Sequence, residues 1–223
     1  MSFERARRIL APPRAEDPPP GWLFDGSALV LFGTNVAALV LAQREGWSVW
    51  SLMMVYWAQS VIIGMINVVR ILSLDRFSTR DFRIDGRLAE PTPAVKRQVA
   101  LFFAIFYGGV HALYFIFVYA YTYGADPLYW QWFWACAAAF ALNHLWSFLY
   151  NVRLDRRGTT NIGTLMFMPV LRVFPMNMVI IFGSLIAPLT SLVIFGALKT
   201  GVDVGMHLLE HHELRKTRGE ARA

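Results

Sequence analysis

Hydrophobic and polar positions along this chain fall into long apolar runs divided by short polar breaks. The first run covers residues 27–43, with 22–24 placed to help at an interface, and Arg44, Glu45 and Gly46 make a tight turn after it. The second covers 47–72 and is interrupted by Gln59, Ser60, Asn67 and Arg70. A polar stretch, 73–97, follows with Arg76, Arg80, Arg83, Arg87, Lys96 and Arg97; its pattern fits a short strand pair or an interfacial helix equally well. Four more runs cover 98–123, 128–150, 162–187 and 189–214, the fifth broken by Pro169 and Pro175. A membrane-crossing helix needs about 20 apolar residues. Runs this continuous are too long for barrel strands, and lipid offers an open backbone no hydrogen-bond partner. The pattern predicts an all-α integral membrane protein, a bundle of about six transmembrane helices within 27–214. An N-terminal tail, 1–26, and a basic C-terminal tail, 215–223, flank it.

Composition supports this. Of 223 residues 56% are hydrophobic and 16% charged, where a soluble domain carries about a quarter charged, and the mean hydropathy is +0.42. The net charge of +6 would suggest nucleic-acid binding in a soluble protein. Here the basic residues gather in the N-tail, the 73–97 loop, the loop after run four (Arg153, Arg156, Arg157) and the C-tail, while the other three connections hold Arg44 alone. That alternation is what the positive-inside rule requires of six spans with both termini cytoplasmic. The expected location is a bacterial inner membrane, with the lipid bilayer as partner and no nucleic acid. Pro18, Pro19 and Pro20 follow the basic N-terminal residues where a signal peptide would need an apolar stretch. Cys136 is the one cysteine and lies in an apolar run, so it forms no internal disulfide and reads as packing.

Polar groups inside spans are costly and usually face the bundle interior. The last run carries Lys199, Asp203, His207 and His211 at intervals of four, one face of a helix. At ~1.5 Å per residue from Pro188, Lys199 sits ~16 Å in, near mid-membrane. His111 lies in run three, His144 in run four and Arg172 in run five; Asn35, Gln59, Asn67, Asn143, Asn151 and Asn177 add amides. Two readings stay open. In one, His111, His144, Asp203 and His207 hold a transition metal, or a histidine ligates a haem or pigment, with Lys199 and Arg172 balancing carboxylate charge or holding an anionic group. In the other, Lys199 pairs with Asp203 and the histidines make interhelical hydrogen bonds. No phosphate-binding glycine loop, Gly-x-Ser-x-Gly or Cys-x-x-Cys is present, so no reaction is assigned. Gly196, Gly201 and Gly205 are spaced for close helix packing.

Several phrases carry a resemblance: YWAQSVIIGMIN from Tyr56 to Asn67, YGGVH from Tyr107 to His111, and ALKTGVDVGMH from Ala197 to His207. Together with neighbouring phrases they extend over most of 30–212, and the chain resembles an uncharacterised family of bacterial multi-pass membrane proteins. The resemblance implies a helical membrane fold and brings no activity. It also implies Glu in place of Gln59 in many members, and His in place of Phe106 and Asn177. The chain would then keep His111, Asp203 and His207 and lack three titratable groups. This, with the aromatic-rich spans and short outer connections, favours as an alternative a non-catalytic accessory subunit of a larger energy-converting or pigment-bearing membrane complex.

Overall fold

The structure, a computed structural model, describes residues 26–125, 130–157, 160–173, 177 and 188–220. The expected tails therefore lie outside the described residues, apart from Gly26 and the helical stretch up to Glu220. Six helices are described: α1 (Gly26–Arg44), α2 (Val49–Leu72), α3 (Pro93–Ala125), α4 (Trp130–Arg157), α5 (Ile162–Leu171) and α6 (Pro188–Glu220). The fold is mostly helical. Among the described residues two helices are long and apolar enough to cross a membrane, α2 and the part Pro93–Ala120 of α3. Shorter apolar helical stretches occupy Leu29–Arg44 and Ile162–Leu171.

Helix starts follow local chemistry. Ser48 opens α2 by accepting from the backbone N–H of Ser51 at 3.2 Å, which satisfies a donor that the helix itself cannot. α3 begins five residues before the apolar run of the sequence. Thr92 Oγ1 accepts from the N–H of Val95, and Pro93 takes the first helical position, where a missing N–H costs nothing. Asn161 caps α5, accepting from Gly163 and Thr164. In the fifth apolar run α5 ends at Leu171, with Arg172 as its C-cap; Asn177 is again helical, and the rest of the run beyond Val173 lies outside the described residues.

α2 is the axis of the bundle. It packs most extensively on α3, then on α4, α5 and α6, while α1 lies mainly against α6 and α4. One apolar core gathers Tyr56, Phe140 and Phe195 with Leu52 and Met53. A second, toward the end of α2, gathers Ile71, Phe103, Tyr107 and Ile162. Between α2 and α3 the fit depends on Gly64: a Cβ there would collide with the ring of Tyr107. That ring cannot easily move, since Tyr107 donates to the Ser60 carbonyl at 3.1 Å and stacks on Phe103 and His111. Gly196 does the same work between α6 and α1, where a Cβ would stand 2.7 Å from Leu39 Cδ1. The expectation of close packing fails for Gly201 and Gly205, which have nothing within 4 Å of an added Cβ.

The 73–97 stretch contains strands. β2 (Arg83–Ile84) and β3 (Arg87–Leu88) form an antiparallel hairpin across Asp85 and Gly86, both at positive φ, the backbone of a two-residue type I′ turn. β1 (Phe77–Ser78) pairs in parallel with β4 (Thr160–Asn161). Asn161 Nδ2 also donates to the Arg80 carbonyl at 2.9 Å, and a Cβ on Gly163 would press on the ring of Phe82. The 73–97 loop and the segment leading into α5 thus meet at one end of the bundle.

Gly64→Ala is expected to destabilise the purified protein by about 1–3 kcal/mol through overpacking, although Ala is the better helix former by up to about 1 kcal/mol. Gly201→Ala should be neutral or stabilising. Thermal unfolding of the two variants side by side checks this, and equal midpoints would refute the packing account.

Candidate functional site

Asp203 organises the interior. Lys199, one turn earlier on α6, donates to its Oδ1 at 2.7 Å, and both side chains are fully buried. Its Oδ2 accepts from Gln59 Nε2 of α2 at 3.2 Å and from Asn35 Nδ2 of α1 at 3.4 Å. A buried carboxylate is tolerable only when paired and hydrogen-bonded, and here three helices do it. The two amides turn their nitrogens to the carboxylate, and their oxygens have no partner among the described residues. Lys199 is further held over the ring of Tyr56, 5.7 Å from its centroid, in cation–π contact. Tyr56 in turn donates to the Asn35 carbonyl at 3.3 Å.

Gln59 extends the network toward α4, its Nε2 standing 3.5 Å from His144 Nε2. For Gln59 to donate there, His144 carries its proton on Nδ1. His144 lies within electrostatic reach of Arg172, Asp203, Lys199 and His207. Beyond it opens a cavity of about 70 Å³, lined on its polar side by His144, Arg70, Arg172, His207, Asn67 and Ser147. Arg172 and His207 are buried. Among the described residues this polar wall carries two guanidinium groups.

Asn67 holds the cavity's shape by a specific exchange. Pro169 has no N–H, so the carbonyl one turn earlier in α5, that of Leu165, loses its helical donor. Asn67 Nδ2 of α2 donates to that carbonyl at 3.0 Å. The amide thus repairs the break that Pro169 makes and fixes the end of α5, and with it Arg172, against α2.

The expected site residues divide into groups. Lys199, Asp203 and Gln59 form the centre, with His144 at its edge; His144, His207, Arg172 and Asn67 line the cavity. His111 stands apart on α3. Its Nδ1 is 2.8 Å from the Tyr107 carbonyl, its ring stacks on Tyr107 and meets Tyr114 edge-on, and its own carbonyl accepts from Trp57 Nε1 at 2.9 Å. Asn177 accepts from the Tyr114 hydroxyl, again away from the centre. The side chain of His211 lies outside the described residues. Among the described residues no three of His, Cys, Asp and Glu come together as a metal-holding group. The residue pattern marks Asn35 as an amide within a span and assigns no site role to Tyr56, Arg70 or Ser147. Arg70 had a usable signal: it follows Asn67 by three and Gln59 by eleven, along the same face of α2.

Residues 24–220, which include all six helices, match a family of unknown function, DUF6498. The chain belongs to that family. No curated protein and no solved structure matches the chain.

Removing one partner of the buried pair should be costly. Lys199→Met or Asp203→Leu alone is expected to lower stability by about 3–5 kcal/mol, because a lone buried charge remains. The double variant should recover most of that loss. A double-mutant cycle on thermal or denaturant unfolding measures it, and additive losses would exclude direct coupling.

Proposed function

We propose that this DUF6498 member is a six-span protein of a bacterial inner membrane, with both termini cytoplasmic, and that the cavity beside its interior centre binds a small polar ligand without performing chemistry on it. The observation that carries the membrane reading is the inverted distribution of polarity. Lys199, Asp203, Gln59 and Asn35 have no exposed surface, while Leu101, Ile105, Leu142 and Trp146 stand 62–71% exposed on the outside of α3 and α4. A helix buried in a soluble core would hide its apolar residues. Yet only 22% of the most apolar window of α3 is buried, against 61% for α2. An exposed apolar surface of this extent supports a lipid-facing position for α3 and α4.

Two further observations support the arrangement of spans. The basic loops alternate along the chain as the positive-inside rule requires. Two of those assigned to the same side, the 73–97 loop and the connection before α5, are joined by the β1–β4 pair and by Asn161.

The binding reading rests on how the reactive groups are used. Both oxygens of Asp203 already accept hydrogen bonds, one of them from the Lys199 ammonium, so its charge is committed within the centre. Cys136 is half-buried against the apolar core. A bound metal ion at Asp203 would have to displace Lys199, and beside His144 and His207 it would face two guanidinium groups. What remains open to a ligand is the cavity next to His144.

Cysteine accessibility tests the topology. In a Cys136→Ala background, Glu45→Cys is expected to react with a charged, impermeant maleimide on intact cells. Arg87→Cys should react only after the membrane is opened. Both positions are exposed on the structure. Labelling of both without permeabilisation, or recovery of the protein in the soluble fraction, would sink the six-span reading.

A further inference from the structure

We propose that the Asp203 centre is a binding site for internal water, held on the amide oxygens of Asn35 and Gln59 and supplied from the cavity beside His144. This goes beyond the cavity reading above and does not depend on what the cavity binds.

A primary amide brings two N–H donors and one oxygen with two lone pairs. Asn35 and Gln59 have no exposed surface, and their nitrogens are committed. Gln59 Nε2 stands 3.2 Å from Asp203 Oδ2 and 3.5 Å from His144 Nε2, and Asn35 Nδ2 stands 3.4 Å from the same Oδ2. Their oxygens, Gln59 Oε1 and Asn35 Oδ1, are buried and have no partner among the described residues. Reversing either amide brings no relief, because its oxygen would then face a carboxylate oxygen, acceptor against acceptor. Asp203 therefore fixes both amides in one orientation and leaves both oxygens in need of donors. A buried acceptor left without a donor costs more than a typical hydrogen bond contributes, and groups of this kind are the usual holders of internal water.

Charge selects among possible ligands. By the C–N and C=O bond lengths, each amide oxygen lies no further than about 6 Å from Asp203 Oδ2. A ligand on these oxygens shares the neighbourhood of the Lys199 ammonium, whose Nζ is 2.7 Å from Asp203 Oδ1. An added cation would be repelled by Lys199, and the carboxylate that could offset it is already matched to that lysine. An anion would meet two further acceptors. A small neutral molecule carrying donors suits the site, and water brings two O–H groups in the least volume.

The supply lies one turn along α2. Ile63, four residues after Gln59, lines the cavity, and so does His144, the histidine that Gln59 meets. The cavity's 70 Å³ is room for roughly five water molecules at about 10–15 Å³ each. In the other direction along α2 stand Tyr56, Met53 and Leu52, packed with Phe140 and Phe195 in the apolar core. The centre is thus the closed end of an inlet that takes water from the cavity side and stops at Tyr56.

The test is X-ray hydroxyl-radical footprinting of the full chain in a neutral maltoside detergent, read by peptide mass spectrometry. Radiolysis makes radicals where water sits, so a buried side chain beside internal water is oxidised and one in a dry core is spared. Tyr56 and Phe103 are both buried, at 0% and 1% exposure. Tyr56 donates to the Asn35 carbonyl at the centre, whereas Phe103 belongs to the second apolar core. Tyr56 is expected to be oxidised several-fold faster than Phe103. Gln59→Leu and Asn35→Leu, each of which removes one of the two oxygens, should lower the ratio of the two rates several-fold. Ile63→Phe, which fills the cavity and keeps both amides, should lower it as well. If the leucine variants do not fold, Ile63→Phe and the unaltered protein carry the test. Equal rates for Tyr56 and Phe103 in the unaltered protein, or a ratio untouched in every variant that folds, overturns the proposal. Cysteine labelling is read on separate samples, so a failed topology with an oxidised Tyr56 would revise the spans and leave the water site standing.

Discussion

A carboxylate with no exposed surface is tolerable only if donors stand against its oxygens, and in this chain those donors come from three separate helices. Asp203 and Lys199 share α6, Gln59 comes from α2 and Asn35 from α1. The pair would be weak support for stability by itself, since taking two charges from water costs about as much as their attraction returns. Its effect is on register. A slide of α1 or α6 by one residue along α2 would break the contacts to Asp203 and leave a buried charge short of partners. Van der Waals packing among apolar side chains tolerates such slides far better, so the charged centre selects one arrangement of the bundle among many of similar apolar contact.

The same logic links the centre to the cavity. Gln59 and Asn67 are two turns apart on α2, and each uses its amide to satisfy an acceptor on another element: the Asp203 carboxylate in one case, the Leu165 carbonyl in the other. Gly64 lies between them and lets the Tyr107 ring close on the helix. α2 therefore carries three different contacts within one stretch.

Much of this was legible from residue pattern. The apolar runs and their polar breaks located most of the helices, because a helix in an apolar environment must satisfy its own backbone and so needs an unbroken stretch. The i, i+4 spacing of Lys199 and Asp203 announced their pairing. The cluster around them was only half legible: periodicity says which residues share a face, not which neighbour the face meets. His111 has the same spacing credentials as His144, yet its ring meets Tyr107 and Tyr114 while that of His144 meets Gln59. Asn67 and Pro169 show the limit most clearly. Nothing local connects an amide in one helix with a missing N–H 102 positions later (169 − 67), and only the packing of α5 on α2 brings them together.

The parallel β1–β4 pair has a consequence for how the chain is made. Phe77 and Ser78 leave the ribosome long before Thr160 and Asn161, and the contact of Asn161 with Arg80 spans 81 positions. At about 5–20 residues per second, β1 waits roughly 4–16 s for its partner strand while α3 and α4 are synthesised. Only the β2–β3 hairpin, closed by its own two-residue turn, can form in that interval. The loop end of the bundle is therefore assembled in two stages, the second of which is set by the arrival of α5 and its asparagine cap.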